Sequence, residues 1–362
     1  MSGHLSSACR KEAIVRFMQD FSVEVTPRQA ARLPSFENLP GLRHGTRVNV
    51  ASLPGADHGE CIDTCRRLWA AGLRPVAHVP VRAFPSLQRL DEHLARLRMV
   101  GVEDVLALAG STDPTTPTKD GALHEAMQLL GSGLIDDHGF RSVAVAGHPE
   151  GHPTVPAAAL EKAALRKAQW WWSALEEADG AIMTAPDPAA PPASLHFETQ
   201  FCFDAAPIVA WEQTLRRRLQ TALQAKTNTP SSLLPLPSIR VGVAGPAKLP
   251  DLLRFAKISG VGASALHQLR NSKSNNSSSS SSPTFPATPD RVIAGVAEHQ
   301  LLLQQTGVPD SRAGTPSCLF RGVHFYSFGG FAATLRWASA VERGDFDLRE
   351  CGGGGFEVRG LK

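Results

Sequence analysis

Residues 75–109, PVAHVPVRAFPSLQRLDEHLARLRMVGVEDVLALA, decide the fold. A short β-rich run, PVAHV (75–79), leads into a helical stretch, PSLQRLDEHLARLRMVG (85–101), and then into a second β-rich run, DVLALA (104–109). Strands joined through a helix pair in parallel by a crossover connection. The same unit repeats on both sides. Upstream lie FSVEV (21–25) and RVNVA (47–51); downstream lie SVAVAG (142–147), HFETQFCF (196–203), RVGVA (240–244) and VHFYSF (323–328). Helical segments separate them: GECIDTCRRLWAAG (59–72), TKDGALHEAMQLLGSG (118–133), PAAALEKAALRKAQWWWSALEEA (156–178), IVAWEQTLRRRLQTALQ (208–224) and LPDLLRFAKISG (249–260). GGFAATLRWASAVERG (329–344) follows the last strand. Eight such strands predict an α/β protein of the (β/α)8 TIM-barrel class, whose active sites occupy the C-terminal strand ends. The alternative, an open doubly wound sheet, lacks a G-x-G-x-x-G turn after the first strand.

Two segments interrupt the alternation. PDPAAPPAS (186–194) is a Pro/Ala-rich loop insertion, and NSKSNNSSSSSSPTFPATPD (271–290) is Ser-rich, too polar to bury a core and read as a disordered insertion. The organisation expected is an N-terminal extension (1–19), a barrel (20–345) and a C-terminal tail (346–362).

At 362 residues the length suits two ordinary domains or one barrel of about 250 residues with insertions. A 42% hydrophobic content excludes disorder of the whole chain. A net charge of +3 is too small for a protein held to nucleic acid by phosphate contacts. No apolar run reaches membrane-spanning length, so no membrane partner is expected. The N-terminus has no apolar signal core, which predicts a cytoplasmic protein; its Ser-rich, acid-poor first residues also fit an organelle presequence. The six unpatterned cysteines suit a reducing compartment, and Cys61 and Cys65 read as packing residues rather than half of a zinc site.

In a barrel, the side chains at the C-terminal strand ends share one mouth. They are Glu24, Asn49 to Ser52, His78, Ser111 to Asp113, His148, Glu150, His152, Thr199, Gln200, Asp204 and Tyr326. Glu24 stands out, because a polar residue within an apolar strand needs a partner or a task; a structural ion pair and catalysis both fit. His148 and His152 have the spacing of a helical zinc pair, but Pro149, Gly151 and Pro153 favour a loop that lines a ligand pocket. The run Trp170-Trp171-Trp172 reads as core, Cys202 as inert, and Arg216 to Arg218 as a solvated helix face.

These segments resemble the methylenetetrahydrofolate reductase family of flavin-dependent barrels. S-V-E-V-T-P is similar to the family's first strand, V-A-H-V-P to its P-H-L-T, and L-A-L-A-G-S to its L-R-G-D. A-G-H-P-E-G-H-P is similar to Y-P-E/K-x-H-P, T-Q-F-C-F-D to T-Q-F-F-F-D, and G-V-H-F-Y-S-F to I-H-F-Y-T-L. The matches keep family order over roughly residues 20 to 335. The resemblance implies FAD and NAD(P)H as cofactors and a folate as substrate. Glu24 would be the general acid, with a raised pKa. His78, Gly110, Ser111, Asp113, His148, His152 and Lys167 would fall at the flavin; Lys167 would meet its diphosphate, unless it belongs to a solvated face. Gln200 and Tyr326 would contact the folate. A homo-oligomer is left open.

Three positions depart from the family. Its L-R-G-D aspartate is Ser111 here, the preceding arginine is Ala109, and the N-R after the last strand is Gly329-Gly330. The chain therefore looks like a divergent bacterial-type branch associated with methyl-group catabolism. It ends soon after Phe328, so the regulatory domain of longer relatives is not expected. Two rivals to folate reduction follow: a reductase for a different one-carbon carrier, and a barrel that has lost its chemistry.

Overall fold

A computed structural model describes residues 6–37, 39–110, 123, 125–182, 193–226, 234–248, 250–252, 255, 288–305, 318–349 and 354–361. Eight parallel strands close into a barrel in sequence order. They are β1 (Ser22–Val25), β2 (Arg47–Val50), β3 (Arg74–Pro80), β4 (Asp104–Leu108), β5 (Ser142–Gly147), β6 (Ser194–Thr199), β7 (Ser238–Ala244) and β8 (Phe320–Tyr326). The ring shuts where Ser22 of β1 pairs with His324 of β8. The fold is the expected (β/α)8 barrel.

The helices among the described residues are α1 (Ser7–Met18), α2 (Pro27–Ala30), α3 (His58–Ala70), α4 (Leu87–Met99), α5 (Ala126–Leu130), α6 (Leu134–Asp137), α7 (Ala157–Ile182), α8 (Ala205–Lys226), α9 (Asp290–Gln305) and α10 (Phe331–Glu342). Helix α4 shows how sequence sets an element. Ser86 caps its start by accepting from Arg89 N–H, and Leu90, Leu94 and Leu97 recur on one face and are buried. The same alternation works in the strands, where successive side chains face opposite ways. Val23, Val25, Val48, Val50, Leu195 and Phe197 point outward into the large apolar layer shared with the helices. Among the described residues, a small apolar group, Val76, Leu106 and Ala144 with Leu108 against it, lies in the barrel interior among many polar side chains.

Both chain ends belong to the fold. Residues 7–18, expected as part of an extension, form α1, which buries Ile14, Phe17 and Met18. Residues 346–348 and 356–358, expected as a tail, pair as the antiparallel strands β9 (Phe346–Leu348) and β10 (Phe356–Val358). Phe346 and Phe356 are fully buried there. The Ser-rich insertion lies outside the described residues up to 287, but its last positions do not. Thr288 Oγ1 donates to Asp290 Oδ1 at 2.6 Å, and Asp290 starts α9. Sequence reading missed α9 because its apolar run abuts the low-complexity stretch. Most of the Pro/Ala-rich loop and most of the helix expected over 249–260 lie outside the described residues, as does the start of the helix expected over 118–133, whose described part contains α5. Among the described residues no helix is long and apolar enough to cross a membrane.

The tryptophans are core, as expected: Trp171 Nε1 donates to Ala193 O at 2.8 Å and Trp172 Nε1 to Pro235 O at 2.9 Å. Arg216 corrects the expectation of a solvated face. It bonds the fully buried Glu212 carboxylate at 2.9 Å, which also accepts from Leu319 N–H at 3.0 Å. Cys61, Cys65 and Cys202 are buried, and burial pushes all three thiols up. Thiolate chemistry at neutral pH is thereby suppressed.

Candidate active site

The interior is charged at both ends, with opposite character. At the N-terminal end, Arg74 pairs with buried Asp104 and Arg240 with Asp20, and Arg47 stands close by. Toward the C-terminal mouth the interior carries two carboxyl groups, Glu24 on β1 and Glu198 on β6. Glu24 is 15% exposed and Glu198 2%, so Glu24 reaches the opening and Glu198 lies beneath it.

Burial, then the nearby Glu198, raises Glu24 from 4.5 to about 8. Removing water disfavours the charged form, and a like charge adds to that. Glu24 is therefore a protonated acid at neutral pH. His78 Nε2 lies 3.7 Å from Glu24 Oε2. Burial lowers His78 to about 4, so it faces Glu24 as a neutral ring. The Glu24 main-chain oxygen accepts from Ser327 Oγ at 2.7 Å, which fixes β1 against the loop after β8.

Glu198 was not anticipated, and it joins the same network. Burial raises it to about 7, against the opposing pull of Asn49, Arg240 and Arg47. Asn49 Nδ2 donates to Glu198 Oε1 at 2.7 Å and lies 3.5 Å from His78 Nε2. His324, also not anticipated, holds Ser22 Oγ at Nδ1 at 2.9 Å. Its Nε2, 3.6 Å from Glu198 Oε1, and Asn49 Oδ1 are both buried without a hydrogen-bond partner. The clue was in the sequence. His196 and Glu198 alternate with Leu195 and Phe197, the same inward phase that singled out Glu24.

One wall of the mouth is aromatic. Phe201, Phe203, Phe255, Tyr326 and Phe328 pack together beyond the ends of β6, β7 and β8. Phe255 and Phe328 stack with centroids 4.2 Å apart, and Tyr326 lies nearly parallel to Phe328 at 5.7 Å. Such a surface suits a flat, conjugated ligand. The Tyr326 hydroxyl donates to Thr199 O at 3.0 Å, so its ring rather than its hydroxyl faces the site. Gln200 Nε2 donates to Gly151 O at 3.0 Å, tying the end of β6 to the loop after β5. One amide hydrogen is therefore committed to the protein, and Oε1 is left to accept.

The opposite wall, after β3, β4 and β5, carries the residues expected at a cofactor. His148 and His152 meet edge-on at 5.5 Å. Burial, with Lys167 and His152 nearby, lowers His148 to about 4. His152 Nδ1 accepts from Thr154 N–H at 3.3 Å, which turns Nε2 toward an outside acceptor. Lys167 on α7 is half-buried, and burial lowers it to about 8. Among the described residues it has no hydrogen-bond or ion-pair partner, which leaves its charge for an anionic ligand. Gly110, just past β4, has φ +84°, and a Cβ there would come within 2.8 Å of Pro80. Only glycine lets the chain turn this closely to the end of β3. This wall offers imidazole donors and a cation to an anionic ligand. Ser111 and Asp113 lie outside the described residues.

Two expected mouth residues make hydrogen bonds within the fold. Thr199 is fully buried, donating to Gln200 O and accepting from Gly242 N–H. Asp204 Oδ1 accepts from Ala206 N–H at 3.1 Å, at the start of α8. Glu150 stays near the mouth: its Oε1 accepts from Phe203 N–H at 3.4 Å and its Oε2 has no partner.

No family model matches the chain. Among solved structures it is similar to a Toxoplasma gondii ME49 protein assigned as a deoxyribose-phosphate aldolase, at 9% identity and a TM-score of 0.39, covering 91% of this chain and 97% of that one. It is also similar to the phosphoenolpyruvate phosphomutase of Streptomyces platensis subsp. rosaceus, at 12% identity and a TM-score of 0.33, covering 75% and 84%. Likeness at this level transfers no chemistry.

Proposed function

We propose that the chain is a flavin-dependent reductase that converts 5,10-methylenetetrahydrofolate to 5-methyltetrahydrofolate at the expense of NAD(P)H. The observation that carries this reading is Glu24: a carboxylic acid kept protonated at neutral pH, at the barrel mouth beside an aromatic wall. A general acid works best when its pKa lies near the operating pH. Glu24 would give its proton to a folate nitrogen, so that the five-membered ring opens to an iminium. His78, being neutral, leaves that proton on Glu24. Phe328 and Tyr326 would support the flat faces, and Gln200 Oε1 would accept from the pterin edge. Lys167, His148, His152 and Gly110 would hold FAD, which when bound carries hydride from NAD(P)H to the folate.

The test is Glu24→Gln in the full chain. Folate reduction is expected to fall by about 100-fold or more, the range of a lost general acid, with FAD binding and NAD(P)H oxidation retained. Undiminished folate reduction would remove Glu24 from the mechanism.

A second reading, a reductase for a different one-carbon carrier, draws on the loop after β8. A Cβ on Gly329 would overlap Pro246 O, and Gly330 has φ +109° at the start of α10. This loop therefore packs backbone to backbone, where the resembled family has an arginine for folate. Slow reduction of methylenetetrahydrofolate beside fast reduction of simple electron acceptors would favour this reading.

A further inference from the structure

Glu24 is not the only acid inside the barrel. We propose that Glu198 is a positioning residue for it: the two carboxyl groups form one coupled pair across the barrel, in which the charge of Glu198 adds to burial in holding the proton on Glu24. The inference deepens the reading of Glu24 as a general acid and rests on it, but the pair can be observed with no substrate present.

The connection is geometric. Asn49 Nδ2 reaches Glu198 Oε1 at 2.7 Å and His78 Nε2 at 3.5 Å, and that same nitrogen of His78 lies 3.7 Å from Glu24 Oε2. The Asn49 amide and the His78 ring together span the space between the two acids. On the far side, Ser22 holds His324 with Nε2 toward Glu198.

The surrounding groups make the pair asymmetric. Arg47 from β2 and Arg240 from β7 act on Glu198 and favour its ionised form, as does the Asn49 hydrogen bond. Among the described residues no cation opposes burial at Glu24. His78 from β3 and His324 from β8 are held neutral by burial, and Tyr326 and Cys202 stay protonated. β4 and β5 present Leu106 and Ala144 to the interior. Glu198 is therefore the first of the two to lose its proton, and its charge then opposes ionisation of Glu24. Like charges in one site titrate as a pair, with two separate steps.

The experiment is a pH titration of the carboxyl signals of the full-length protein, by infrared or carbon-13 spectroscopy, without substrate. Wild type is expected to show two steps, the upper one missing in Glu24→Gln. Glu198→Gln is expected to move the Glu24 step down by about one pH unit, the scale of such coupling. Asn49→Ala, which removes the donor that favours ionised Glu198, should move it the same way, and Glu198→Asp should leave it in place. The alkaline limb of folate turnover should follow the spectroscopic step in each variant. If Glu198→Gln does not fold, Asn49→Ala and Glu198→Asp make the comparison by themselves. A Glu24 step unmoved in Glu198→Gln and Asn49→Ala overturns the pair, whatever the turnover. Shifted steps in a protein that never reduces folate sustain the pair and overturn the reductase instead.

Discussion

The protonated state of Glu24 has a consequence for stability that needs no substrate. In the unfolded chain its carboxyl titrates near 4.5, and in the fold near 8. Between those values the folded chain holds a proton that the unfolded chain has released, so stability falls as pH rises. Each pH unit is worth about 1.4 kcal/mol, and the whole interval therefore about 5 kcal/mol. From about pH 6 to about pH 8, where the folded carboxyl is half titrated, the loss is about 2 kcal/mol. At roughly 2 °C per kcal/mol for a chain of this size, that lowers Tm by about 4 °C. Glu24→Gln keeps the shape and lacks the charge. Its melting curve should lose that share of the alkaline decline while keeping the smaller one due to Glu198, which titrates near 7. The difference between the two proteins continues on the acid side, because the Glu24 contribution runs down to its unfolded value near 4.5. His78 and His148 are neutral in the fold, so in both proteins they lower stability as pH falls from 6.5 toward 4, and the variant, which lacks the opposing gain from Glu24, should fall more steeply. The assay is thermal unfolding followed by circular dichroism across this pH range. Parallel curves for wild type and variant on the alkaline side would refute the protonated acid, and with it the chemistry assigned to Glu24.

Two further predictions rest on other residues. Lys167→Ala should weaken FAD about 10- to 100-fold, the worth of one charge-assisted contact, as read by flavin fluorescence at constant salt; unchanged affinity would return Lys167 to a solvated face. Gly329→Ala should cost about 1–3 kcal/mol, since the added methyl meets Pro246 O and the backbone must shift. A Tm equal to wild type would show that the loop after β8 packs less closely than described.

The strands were legible in the sequence because each pairs a β-rich run with a flanking helix, and that pattern alone fixes parallel order. The ends were less so. The face of Ile14, Phe17 and Met18 in α1 is short, and α9 begins where a polar low-complexity tract stops. Glu24 was legible as a charge amid valines, and Glu198 carried the same signal in S-L-H-F-E-T. That signal is overshadowed by the adjoining T-Q-F, which carries the family resemblance. The commitments of Thr199 and Asp204 could not be read from type alone, since a hydroxyl or carboxylate at a strand end serves a pocket or a cap equally well. The pairing of Arg216 with Glu212 likewise depends on which helix face the fold buries.

The proposed function stands on hydride passing through bound flavin to a folate. A single anaerobic cuvette tests it: the visible spectrum of the purified protein with FAD, after NADH or NADPH, and again after 5,10-methylenetetrahydrofolate. The account predicts a yellow protein that bleaches with the nicotinamide and regains its colour with the folate. A protein that takes up no FAD, or one that bleaches and stays colourless when the folate is added, would contradict it.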